Sequence, residues 1–94
     1  MLTRLVKMHF RPEFIEEFKA IFLAARPLIL ASEGCNGVEL LQHERDQTIF
    51  FTISKWDSAA HLENYRHSEL FHNTWAKVKP HFYCKAEAWS LMES

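Results

Sequence analysis

An α+β fold is what this sequence predicts, on three observations. Four short segments rich in β-branched and aromatic residues read with a period of two, as strands do. Two longer stretches repeat their apolar residues three and four apart, as helices do. The six segments follow the order β-α-β-β-α-β within 94 residues. That order gives a ferredoxin-like arrangement, a four-stranded antiparallel sheet with both helices on one face.

The first strand is expected over 2–10 (LTRLVKMHF), with Leu2, Val6, Met8 and Phe10 on one face and Arg4 among them; Leu5 lies on the other with Thr3, Lys7 and His9. Pro12 stands where the first turn of a helix tolerates a missing N–H. Glu13, Glu16 and Glu17 suit the positive end of the helix dipole, and Phe14, Ile15, Phe18, Ile21, Phe22 and Ala25 make a one-sided apolar stripe. Pro27 should stop or kink this helix near Ala25. Because LILA follows it, the reading is a kinked continuation to about Ala31, with Gly34 as terminator.

Residues 36–44 and 48–56 read as antiparallel strands joined by a polar turn around Arg45, Asp46 and Gln47. Val38 and Leu40 oppose Glu39 and Leu41; Ile49, Phe51 and Ile53 oppose Phe50, Thr52, Ser54 and Trp56. A second helical region follows. Ser58 is placed to cap 59–66, and Ser68 to cap or interrupt before 69–78, where Phe71, Trp75 and Val78 share a face and Pro80 ends the run. Residues 82–92 are expected as the last strand. No repeat or linker interrupts the chain, so one domain over 1–94 is expected.

Composition narrows the partners. Hydrophobic residues make up 48% of the chain and aromatic ones 14%, a large share for a size that buries roughly 60–65% of its unfolded surface. Two helices cover only one sheet face, yet the strands carry large apolar residues on both, which predicts a homodimer packed sheet on sheet. Net charge is -1 with no run of Lys or Arg, so no nucleic acid is expected. The two glycines, Gly34 and Gly37, both lie in EGCNG; neither a Rossmann fingerprint nor a P-loop fits so few. Cys35 and Cys84 fall on opposite sheet edges in this topology and are expected as buried thiols. MLTRLVKMHF lacks the pattern of a signal peptide, and the longest apolar run, 21–25, is far short of the ~20 residues of a membrane span. A reducing cytoplasm and no membrane contact are therefore expected.

The segments EGCNGVELL (33–41), KW (55–56), DSAAHLENY (57–65), SELFHNTW (68–75) and AEAW (86–89) carry a resemblance that covers nearly the whole chain. Together they resemble the antibiotic biosynthesis monooxygenase family, and the EGC-x-G and W-D-S-x-x-H-L-E elements resemble its quinol-monooxygenase branch. The resemblance implies a dimeric α/β barrel of two ferredoxin-like protomers. It also implies cofactor-free oxidation of an aromatic polyketide-like or quinol substrate by O2. Trp56 matches the Trp that lines the pocket of anthrone-oxidising members, and Thr52 stands where they place an Asn that binds the substrate's oxygen. The first-strand Asn, the later Trp and the iron-ligating His of the haem-degrading branch correspond here to Val6, Tyr65 and Trp75. Trp cannot ligate iron, which disfavours that branch. The His often found in the quinol-type branch corresponds to Leu70.

Such chemistry needs a dry aromatic pocket, a hydrogen bond to a developing oxyanion and a base. Trp56, Tyr65 and Trp75 are expected to line the pocket, with Met8 and Phe22 completing the substrate-binding set; plain core packing is the alternative for both tryptophans. Thr52 is expected to bind the substrate oxygen and His72 to act as base. If the second helical region is unbroken, Tyr65, His72 and Trp75 share one stripe; if Ser68 breaks it, His72 faces water. Arg4 either pairs with a Glu, the preferred reading, or faces a ligand anion. The six His residues show no metal-ligand spacing, and no metal is expected. Two other readings stay open: a non-catalytic or stress-response module holding a planar aromatic ligand, and a haem protein using His72 as ligand.

Overall fold

The computed structural model describes all of residues 1–94. Its strands are β1 (Leu2–His9), β2 (Cys35–Gln42), β3 (Ile49–Trp56) and β4 (Glu87–Met92); its helices are α1 (Ile15–Leu30), α2 (Ala59–Arg66) and α3 (Glu69–Val78). All strand pairs are antiparallel, in the spatial order β2-β3-β1-β4. This is the ferredoxin-like α+β sheet. Its register decides what the helices see: Val6 lies between Thr52 and Ala88, and Arg4 between Ser54 and Ser90. With a period of two, the even-numbered residues of β1 and β3 therefore share the face toward the helices.

Helix α1 runs through Pro27 to Leu30. Four residues from the end, the proline forfeits one intrahelical N–H, while Ala25 and Ile29 pack with Val38 of β2 and hold the last turn in place. Gly34 follows with φ 82, the left-handed conformation that glycine adopts without a Cβ penalty. Strand β2 opens with a bulge at Asn36, since Cys35 faces Trp56 and Gly37 already faces Lys55.

The second helical region is two helices. Ser68 accepts a hydrogen bond from Phe71 N–H at 3.1 Å and donates one to the Tyr65 carbonyl at 2.6 Å, closing α2 and capping α3 with one side chain. Ser58 caps α2 through His61 N–H at 3.2 Å. The last strand is shorter than expected. Pro80 enters a 3-10 turn at Lys79–His81, and Phe82 makes only an isolated bridge to Phe10, so regular pairing waits until Glu87. Cys84 consequently sits in the connection, exposed, with Sγ 3.7 Å from His9 Nδ1; Cys35 is half-buried on β2. Both are free thiols, and the expectation that both are buried is corrected for Cys84.

The far face of the sheet is apolar in the middle. Leu5 lies in register between Ile53 and Trp89, and Phe51 lies beside Leu41. Trp89, Leu91 and Leu41 are 41–46% exposed there. No helix is long and apolar enough to cross a membrane.

Candidate functional site

The buried residues between sheet and helices form three separate clusters rather than one core. Met8, Phe10, Phe14, Phe18, Phe50 and Val78 fill one end; Leu2, Trp56 and Leu62 fill the other; Ala25, Ile29 and Val38 make the third under α1. A cavity of about 300 Å³ lies between them, bordered by members of all three. A small domain that packs for stability alone closes such a space, since empty apolar volume costs stability.

Four aromatic rings, Trp56, Tyr65, Phe71 and Trp75, make one wall, and Phe82 continues the series behind it. Trp56 stacks on Tyr65 (5.0 Å, 28°), Tyr65 meets Phe71 edge-on (5.4 Å), Phe71 stacks on Trp75 (5.6 Å, 12°) and Trp75 meets Phe82 edge-on (5.4 Å). The Trp at the end of β3 thus begins a relay that Phe71 carries across the break at Ser68 to Trp75. Trp56 is fully buried, its indole N–H donates to Ser54 Oγ at 2.9 Å, and it borders the cavity. Tyr65 is half-buried beside it, and desolvation, with a smaller contribution from Cys35, pushes its pKa up to about 12. Its hydroxyl stays protonated near neutrality, so it is not a base there.

The floor is the sheet. Met8, Val6 and Arg4 of β1 and Thr52 and Ser54 of β3 line it, and Phe22, Ile21 and Phe18 of α1 close it above. The cavity therefore brings together Thr52, Trp56, Tyr65, Trp75, Met8 and Phe22. It does not include His72, and that expectation is corrected. The break at Ser68 resets the helical phase, so α3 turns Phe71, Trp75 and Val78 inward while His72, about 100° further round than Phe71, is exposed. No group of three or more His, Cys, Asp or Glu residues converges anywhere in the chain.

Arg4 also departs from its preferred reading. It forms no ion pair; its guanidinium donates to Ser90 Oγ at 3.0 Å and borders the cavity together with Arg66. Burial and the neighbouring Arg66 both lower its pKa, which Glu63 partly offsets. Arg66 at the end of α2 went unnoticed in the sequence, where its only mark is a position one residue past Tyr65. Its own charge is met by Glu63 at 3.3 Å.

With sheet, cavity and aromatic wall in place, the comparisons with known proteins agree on one family and one fold. The family model for antibiotic biosynthesis monooxygenases matches residues 1–77, and the chain belongs to that family. Among solved structures, an antibiotic biosynthesis monooxygenase superposes with a TM-score of 0.94 at 17% identity, covering 100% of this chain and 99% of that one. A conserved protein from Methanosarcina mazei Go1 gives 0.92 at 19%, covering 100% and 94%. The PA3566 protein of Pseudomonas aeruginosa gives 0.87 at 22%, covering 99% and 93%. At these identities the likeness speaks to the fold. No curated protein matches the chain in sequence.

Proposed function

We propose that this protein is a cofactor-independent monooxygenase that oxidises a phenolic aromatic substrate, an anthrone of the polyketide type or a quinol, with O2. The observation that carries this reading is the aromatic-walled cavity with hydroxyl and guanidinium donors on its floor, in a chain of the monooxygenase family. Its volume of about 300 Å³ is at the lower end of small-molecule sites. The substrate supplies the electrons. Once its phenol is deprotonated, the electron-rich anion reduces O2 directly; an anthrone CH2 becomes C=O, one oxygen atom enters the product, and the other leaves as water with the two hydrogens. Thr52 donates to the substrate oxygen as negative charge gathers there, and the field of Arg4 and Arg66 favours the anion. Trp56, Tyr65, Trp75, Met8 and Phe22 hold the ring plane and exclude water.

The working unit is proposed to be a homodimer joined through the apolar far face of the sheet, in the cytoplasm, where two free thiols are kept reduced. The haem alternative loses the ligand named for it, because His72 lies outside the cavity.

Oxygen uptake with dithranol and with a dihydroquinone, in chelator-treated buffer, tests the reaction. Acceleration over the spontaneous rate is expected, with Thr52→Val lowering kcat by about 10²-fold, Thr52→Ser restoring most of it, and His72→Ala leaving it unchanged. Binding without uptake would replace the enzyme by a ligand-binding module.

A further inference from the structure

We propose that the cavity takes a planar aromatic ligand that carries a carboxylate, and that Arg4 is the residue that binds this group. The inference rests on the cavity being the aromatic site described above and specifies its ligand further. Arg4 stands on one of the two central strands, between Ser54 and Ser90, with its side chain on the face that floors the cavity. A guanidinium keeps its charge at any physiological pH. Arg4 is half-buried, so water meets part of its charge; a ligand that fills the cavity removes that water, which is costly unless an acceptor, best an anion, replaces it. The chain provides one neutral hydroxyl, Ser90 Oγ at 3.0 Å, and no carboxylate within 4.0 Å.

The nearby acids are otherwise engaged. Glu63 pairs with Arg66 at 3.3 Å and with His67 at 2.9 Å. Glu87, at the cavity's edge, has its carboxylate 4.0 Å from Lys7 Nζ. Two guanidiniums and one shared carboxylate thus leave positive charge at one end of a mostly apolar cavity. The planar fork of Arg4 has further N–H donors beyond the one spent on Ser90, and that geometry matches a carboxylate with two parallel hydrogen bonds. Thr52 lies one diagonal step away across the β1–β3 ladder, since it pairs with Val6 while Arg4 pairs with Ser54. A rigid ring system that offers its phenolic oxygen to Thr52 can therefore offer a carboxylate to Arg4 at the same time.

The test compares anthraquinone-2-carboxylate with the neutral anthraquinone-2-carboxamide by calorimetry. The wild type is expected to bind the carboxylate about tenfold tighter, about 1.4 kcal/mol. Arg4→Gln is expected to erase that preference while leaving carboxamide affinity intact, which also shows that the variant folds; Arg4→Lys retains part of it. Equal affinities in the wild type, or a preference that survives Arg4→Gln, overturn the anion anchor and leave the aromatic site standing. If neither compound binds, the aromatic site falls and the anchor with it.

Discussion

Tyr65 shows how a single residue reports the character of the cavity wall. It stacks on Trp56, meets Phe71, and is buried enough to raise its pKa from 10.0 to about 12. The folded state therefore holds its proton more tightly than the unfolded state. That contribution to stability is fully present below pH 10 and is lost as pH rises through about 12. Urea midpoints measured across this window are expected to fall more steeply for the wild type than for Tyr65→Phe; parallel curves would show that the phenol is not held dry. His72 is the converse case. Its distance in sequence from Tyr65 suits a single helix, but one serine side chain that bonds both sides of residue 68 is enough to rotate it into water.

At the scale of elements, two separated pieces of sequence prove to be one corner. Gly34 lies where β2 begins, and a Cβ built on it would stand 2.3–2.6 Å from the ring and Cβ of His61 in the first turn of α2. His61 is fixed in turn by Ser58, whose Oγ lies 2.7 Å from His61 Nδ1. The bulged Asn36 ties the same corner to Asp57 with a 2.7 Å bond, and Gly34 C=O accepts from Asp57 N–H at 2.8 Å. EGCNG and WDSAAH thus fix the angle at which the chain leaves β3 for α2, and so where Tyr65 meets Trp56. Gly34→Ala is expected to cost at least about 1–3 kcal/mol, from the positive φ alone, with the clash added. Placed in a His61→Gly chain, which lacks both that ring and that Cβ, Gly34→Ala should cost the backbone part alone. Denaturant titration in the two backgrounds measures this, and equal losses in both would rule out the steric part.

For the whole molecule, the exposed face of the sheet is the dominant unsolved burial. Leu5, Phe51 and Ile53 are half-buried and Trp89 is exposed across β3, β1 and β4, and covering them adds the remaining part of the ~1.5–3 kcal/mol that each contributes when fully buried. Together those parts are a large fraction of the stability of a small domain. Sedimentation is expected to find a dimer at micromolar protein, and Ile53→Asp to shift it toward monomer with reduced stability, because a carboxylate at the centre of that face cannot be desolvated without a partner. A folded wild-type monomer at that concentration would remove the dimer from the proposal.

The order of elements, the strand parity and the two serine caps were legible in the sequence because each depends on neighbours a few residues away. Thr52, Trp56, Met8 and Phe22 could be placed on the cavity side for the same reason: period two and period 3.6 assign faces without knowledge of what those faces meet. The resemblance to the antibiotic biosynthesis monooxygenases pointed to the same fold. What local pattern could not supply was phase across an interruption, which decided His72, and pairing between distant segments, which left Arg4 without the glutamate it was expected to have and set Arg66 beside it. Those outcomes depend on how strands 50 residues and more apart come into register, and only the folded chain brings such charges close enough to act on one another.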